Sequence, residues 1–84
     1  MSAQQISIDW TAFEIRKLNA GEDPHLVNCP EFWEADYLVS HIHAALPGMP
    51  RGVIRAAVSL TCVECRGPCV REIFLEKVLT LLGY

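Results

Sequence analysis

The sequence lacks any apolar run of the roughly 18 residues that a membrane-spanning helix needs. Its N-terminus, MSAQQISIDW, also lacks the basic region and the apolar stretch of a secretory signal peptide. We therefore expect an intracellular, cytoplasmic protein without a membrane partner. In a reducing compartment thiols stay reduced, so disulfides are the least favoured use of its four cysteines.

Basic residues are also few. The chain has 7 Lys and Arg against 10 Asp and Glu, a formal net charge of −3. Two basic and seven acidic residues fall in residues 1–46, whereas five basic and three acidic residues fall in residues 47–84. Nucleic-acid binding depends on concentrated Lys and Arg, so this composition argues against a general polyanion binder. It is compatible with a specific docking surface.

No catalytic motif is present. The sequence contains neither GxSxG nor HExxH, and it has no glycine loop for a phosphate group, so we expect a protein that is not an enzyme. It also has no internal repeat and no long linker, which favours a single domain over residues 1–84. A chain of 84 residues hides only roughly 60–65% of its unfolded surface on folding, so a metal ion or a second subunit would add stability.

Apolar residues at helical spacing, separated by glycine and proline, predict a mainly α fold. The first helix begins near Asp9 and ends at Gly21, and the second runs from Pro30 to Pro47. A third is predicted over residues 53–65, although alternation at residues 58–62 also permits a short strand. The fourth opens at Pro68 and ends before Gly83. We expect a small bundle of about four short helices, which a metal ion could staple.

The second predicted helix has two apolar faces. One face carries Ala35, Leu38, Val39, Ile42, Ala45 and Leu46. The other carries Trp33 and Tyr37, which are common in binding hot spots, so we interpret these residues as a protein interface rimmed by Glu34 and Asp36. The alternative is that the first helix or the N-terminal segment covers this face.

The fourth predicted helix has a wide apolar stripe. It includes Val70, Phe74, Leu75, Val78, Leu79, Leu81 and Leu82. Such a stripe either lies between helices of its own chain, which is the commoner case, or contributes to a homodimer interface. The sequence leaves both alternatives open.

Three of the four cysteines lie in the segment CVECRGPC, residues 62–69. A turn at its RGP sequence would let Cys62, Cys65 and Cys69 converge, and structural zinc sites are built from four such ligands. Cys29 is the natural fourth ligand, which makes a small structural zinc-binding domain one hypothesis. The spacing does not match the common iron–sulfur runs.

Other uses of the cysteines stay open. His25, His41 or His43 could replace one ligand. Buried Cys often packs as a small apolar side chain, which explains Cys62 and Cys65 better than it explains Cys69. Redox chemistry has little support, because a CxxC of the thioredoxin type should follow a strand in a βαβ unit.

A DNA-binding role is the remaining alternative. The second and third predicted helices could form a helix-turn-helix, with Arg51, Arg55 and Ser59 on one face of the second of them. The acidic net charge makes nucleic acid the less favoured partner. The main hypothesis is a small acidic protein that binds and modulates a partner protein as an inhibitor, adaptor or regulator. Phage- and plasmid-encoded regulators share this size and composition, which is an analogy only.

Overall fold

Four α-helices and one pair of very short β-strands are formed by residues 8–27 and 32–84, the part of the chain that the computed structural model describes. The elements in chain order are α1 Thr11–Asn19, β1 Leu26–Val27, α2 Phe32–Ala45, α3 Arg51–Cys65, β2 Cys69–Val70 and α4 Arg71–Leu81. The prediction of a mainly α protein with four helices is confirmed.

The ends of α1 follow the predicted signals. The Asp9 carboxylate accepts a hydrogen bond of 3.0 Å from the backbone N–H of Thr11, and this bond lowers the pKa of Asp9. The first backbone N–H groups of a helix have no acceptor within the helix, and the Asp9 carboxylate provides one for Thr11. At the other end Gly21 has a φ of +75°, a left-handed conformation that glycine adopts without steric cost.

The fourth helix differs from the prediction. It begins at Arg71 and not at Pro68, because Cys69 and Val70 form the strand β2. This strand is antiparallel to β1, with Val27 opposite Cys69 and Leu26 opposite Val70. The backbone N–H of Arg71 extends the contact by donating to the carbonyl of His25 at 2.9 Å. Two-residue strands are too short to show a period of two, so the sequence pattern could not reveal them.

The core lies where α1, α2, α3 and α4 face one another. Its buried apolar residues are Phe13, Val27, Leu38, Val39, Ile42, Ile54, Ala57, Val58, Phe74 and Val78. The apolar arc predicted for α2 thus supplies Leu38, Val39 and Ile42 to the core. Within residues 8–27 and 32–84, no helix is long and apolar enough to cross a bilayer.

The apolar stripe of α4 is divided between core and surface. Phe74 and Val78 are fully buried, whereas Leu81 is 54% exposed. The helix therefore lies against its own chain along one side and leaves part of the stripe exposed. A homodimer through this exposed part stays a prediction.

Candidate protein-binding groove and thiol cluster

A cluster of aromatic rings joins α1 to α2. Phe13 of α1 is fully buried at its centre. Its ring centroid is 5.2 Å from that of Trp10, 5.5 Å from that of Trp33 and 5.6 Å from that of Tyr37. These separations lie in the range favoured by edge-to-face and offset ring pairs. The cluster thus connects α1 to α2 through side chains.

Tyr37 is held on several sides. Its hydroxyl donates a hydrogen bond of 2.6 Å to the backbone carbonyl of Asp9, and its ring stacks on His41 with centroids 4.0 Å apart. Burial raises the pKa of Tyr37, which favours the protonated phenol that donates this hydrogen bond. The ring is therefore a rigid wall and not a mobile surface side chain.

An open groove of about 680 Å³ runs between α1 and α2. Its lining from α1 is Ala12, Ile15, Arg16 and Asn19, and its lining from α2 is Trp33, Asp36, Tyr37, Ser40 and His41. The volume is within the roughly 300–1,000 Å³ typical of ligand sites. The Arg16 guanidinium lies 4.8 Å from the centroid of the Trp33 ring, as in a cation–π contact. The groove thus combines apolar walls with one accessible cation.

The structure brings together three of the four predicted interface residues. Trp33, Asp36 and Tyr37 line the groove, and Asp36 also forms an ion pair with Arg55 of α3. The prediction for Glu34 as an exposed rim residue is wrong, because its side chain is only 1% exposed. One residue after Trp33 the helix has turned by 100°, which directs Glu34 to the protein interior.

Glu34 meets a buried lysine of α1. The Nζ atom of Lys17 is 2.9 Å from Oε2 of Glu34 and 2.8 Å from Oε1 of Glu22. Burial by itself lowers the pKa of Lys17, but the hydrogen bonds and charges of the two glutamates outweigh it and the pKa is raised. Sequence reasoning missed this ion pair. The sequence did contain one indication that Lys17 is buried. It follows Phe13 by four residues, so the two side chains lie on the same face of α1.

The residues of the DNA-binding hypothesis do share one exposed face of α3, as predicted. Two of them are engaged with α2, however. Arg55 forms its ion pair with Asp36, and Nη2 of Arg51 lies 3.4 Å from the hydroxyl of Ser40. Ser59 is exposed. The positive charge of this face is thus partly neutralised within the protein.

Three of the four predicted zinc ligands, Cys62, Cys65 and Cys69, lie in the described residues, and we call these three the thiol cluster. All three are half-buried thiols. The chain reverses after α3 through Arg66 at φ +57° and Gly67 at φ +154°, and Cys69 follows this turn in β2. Burial is the main cause that raises the pKa of Cys69 to about 11, and the nearby Cys65 and Cys62 thiols raise it further.

Two further facts define this cluster. In residues 8–27 and 32–84, no group of three or more His, Cys, Asp or Glu side chains could hold a metal ion. Cys29, the predicted fourth ligand, lies outside the described residues. Cys69 belongs to β2 and not to the helix that the sequence predicted to open at Pro68.

The fold and the groove together define a small mainly α protein with an aromatic-walled cleft between its first two helices. Comparison of the chain with protein-family models, with curated proteins and with solved structures gives no match. The groove is therefore the feature on which a proposed function can be based.

Proposed function

We propose that this protein binds a segment of a partner protein in the groove between α1 and α2 and acts as a regulator, adaptor or inhibitor, not as an enzyme. The observation that carries the proposal is the pair Trp33 and Tyr37, which line an open groove while resting on the buried ring of Phe13. Rigid aromatic side chains lose little conformational entropy when a partner binds, which is why they dominate binding hot spots.

The shape of the groove favours an amphipathic helix as the occupant. Two neighbouring helices form its walls, and a third helix can lay its apolar face between them in the manner of helix-in-groove recognition. Ile15 of α1 is 55% exposed on the groove wall, directly one turn after Ala12. An aliphatic or aromatic side chain of the partner would cover Ile15 and Trp33 together and remove both from water.

The charge of the groove selects an acidic partner segment. Arg16 is exposed and makes no ion pair with the residues that the structure describes, while its guanidinium lies over Trp33. Asp36 already has Arg55 as its counter-ion. A carboxylate on the partner helix would therefore meet the available cation, and a basic residue at this position would be repelled.

Double-stranded DNA is the less favoured partner. Arg55 and Arg51 contact α2, and the chain as a whole carries a net charge of −3. Phosphate binding would have to compete with the Arg55–Asp36 ion pair. Binding to duplex at low salt that is lost in the double variant Arg51→Ala, Arg55→Ala would favour the DNA alternative over the groove.

A peptide-display selection against the whole protein tests the groove. We expect the enriched peptides to carry apolar residues at helical spacing together with Asp or Glu. Ile15→Asp should weaken their binding at least about thirtyfold, because hot-spot changes cost about 2 kcal/mol or more. Fluorescence polarisation with synthetic versions of the enriched peptides measures the loss.

Leu81→Asp is the matched control, since Leu81 is 54% exposed on α4, outside the groove. We expect peptide affinity to stay within about twofold of the unaltered protein. Exposed positions tolerate substitution within about 0.5 kcal/mol, so thermal unfolding of both variants should match the original protein. Peptides that bind the Ile15 variant normally and lose affinity for the Leu81 variant would contradict the groove proposal.

Reversing the cation gives a second readout of the same site. Arg16→Glu should weaken acidic peptides and strengthen versions in which their Asp or Glu is replaced by Lys. Such a charge-reversal rescue cannot come from general unfolding. If the affinities of acidic and basic peptides fell equally, Arg16 would not contribute to the selection of an acidic partner.

A further inference from the structure

Helix α3 carries a row of apolar residues on a side that does not face the core. The buried residues on its core side are Ile54, Ala57, Val58 and Thr61. The exposed residues of the row, which we call the α3 stripe, are Val53, Ala56, Leu60 and Val63. Leu60 is 60% exposed and Val63 is 69% exposed. Single exposed apolar residues are common on proteins, whereas a continuous row of them marks an interaction surface.

The spacing of the α3 stripe indicates that its partner is another helix. Its four residues follow one another at intervals of three, four and three, the pattern of the a and d positions along which two helices pack. At 1.5 Å per residue the stripe over residues 53–63 is about 15 Å long. A seam of this shape fits one helix lying alongside α3.

The charges at the ends of α3 are opposite to those that stabilise a helix. The N-terminus of a helix favours acidic side chains and the C-terminus favours basic ones. Helix α3 instead begins at Arg51, has no acidic residue in its first turn and no basic residue in its last turn, and carries Glu64 beside its final residue. Pro50 at the N-cap provides no side-chain acceptor for the first N–H groups. A helix with the same charges that runs in the opposite direction would complement both ends.

We propose that the α3 stripe is the interface of a homodimer, in which α3 packs antiparallel to the α3 of a second copy of this chain. The twofold axis lies level with Val58. Ala56 is then opposite the partner's Leu60, so a small side chain faces a large one, and Val53 is opposite the partner's Val63. Glu64 reaches the N-terminal turn of the partner's α3, where its negative charge is favourable.

The dimer is expected to be weak and reversible. One short helical seam buries less than the roughly 1,200–2,000 Å² of stable protein complexes, so the dimer should form as the protein concentration rises. No residue of the α3 stripe lines the groove between α1 and α2. The dimer therefore presents two open grooves.

Sedimentation equilibrium of the whole protein over a range of concentrations tests the interface, with a reductant present to prevent disulfide-linked dimers. We expect the average mass to rise from that of one chain towards that of two. Leu60→Asp should weaken dimerisation at least about thirtyfold, because it places a charge without a counter-ion at the centre of the seam. A mass of one chain at every concentration up to the millimolar range would overturn the proposal.

Leu81→Asp is the matched control, since Leu81 of α4 is 54% exposed and Leu60 is 60% exposed. This variant should dimerise as the original protein does. A dimer that is lost in the Leu81 variant and kept in the Leu60 variant would place the interface on α4 and contradict the α3 stripe. Peptide binding by the Leu60 variant should be unchanged, so failure of the dimer and failure of the groove are separate results.

A mixture of two variants tests the antiparallel register. Ala56→Lys alone should also prevent dimerisation, because it buries an unpaired charge. When the Ala56→Lys and Leu60→Asp variants are mixed, the new lysine of one chain lies opposite the new aspartate of the other, and a heterodimer should form. Such a rescue cannot come from unfolding. A mixture that stays monomeric while the original protein dimerises would overturn the antiparallel arrangement.

Discussion

Replacing Lys17 by Met should lower the free energy of unfolding by about 3–5 kcal/mol, the cost typical of removing one partner of a buried ion pair. The substitution takes away the ammonium group that lies 2.9 Å from the carboxylate of Glu34, a side chain that is 1% exposed. Small domains are stabilised by roughly 0.05–0.15 kcal/mol per residue, so this loss is a large part of the total. Urea denaturation followed by circular dichroism at neutral pH measures it.

Two companion variants separate the buried pair from the rest of the lysine's contacts. Glu22→Gln removes the second carboxylate that contacts Lys17. The side chain of Glu22 is 41% exposed, so this variant should lower the free energy of unfolding by no more than about 1 kcal/mol. The double variant Lys17→Met, Glu34→Met should recover most of the lost stability, because apolar residues of similar volume can replace a buried ion pair without penalty. A Lys17→Met variant that loses less than about 1 kcal/mol would contradict the buried pair.

The same pair predicts the behaviour at alkaline pH. The pKa of Lys17 is higher in the folded protein than in the unfolded chain. Its stabilising contribution is therefore complete below the unfolded pKa, near the ordinary value of 10.5, and is lost as the pH rises through the folded pKa. Tyr37, whose pKa is also raised, adds a loss in the same direction. The difference between the original protein and the double variant isolates the lysine, since both contain Tyr37.

Phe13→Ala is the second substitution with a large expected effect, again about 3–5 kcal/mol. Phe13 is fully buried and its ring contacts those of Trp10, Trp33 and Tyr37. Alanine would leave a cavity between α1 and α2 and would also remove the surface on which Trp33 and Tyr37 rest. Thermal and urea unfolding of the variant give the loss.

Leu18→Ala is the matched control on the same helix. Leu18 is a large apolar residue of α1 but is 62% exposed, so the substitution should change stability by no more than about 0.5 kcal/mol. If Phe13→Ala and Leu18→Ala had similar effects, the aromatic cluster would not form the junction between the two helices. The groove proposal would then lose the rigid support on which it depends.

The helices could be predicted because glycine and proline separate them and apolar residues repeat at helical spacing. The boundaries at Gly21 and Pro47 agree with the structure, since glycine permits the left-handed end of α1 and proline cannot continue α2. The start of α4 could not be predicted. Pro68 suited a first helical turn, but the pairing of Cys69 with Val27 depends on a contact between distant parts of the chain.

The candidate site was predictable to a similar extent. Helical spacing correctly placed Trp33 and Tyr37 on one face of α2, away from the main apolar arc. The groove itself needs α1 as its second wall, and no pattern within α2 indicates which helix that is. Glu34 was misplaced because charged residues are almost never fully buried unless they are paired, and its partner Lys17 lies in another helix. A single helix wheel contains no information on such a partner.

The short β1–β2 pair has a consequence for the order of folding. Val27 and Cys69 are 42 residues apart in the chain, so their pairing closes a loop that contains all of α2 and α3. Contacts of such high sequence separation carry a loop-closure cost and are expected to form after the local helical contacts. Val27→Ala should therefore speed unfolding and leave the refolding rate nearly unchanged in a chevron plot, and slower refolding would place the pair in the folding nucleus. We therefore expect the β1–β2 pair to govern how long the native state lasts and not how fast it forms.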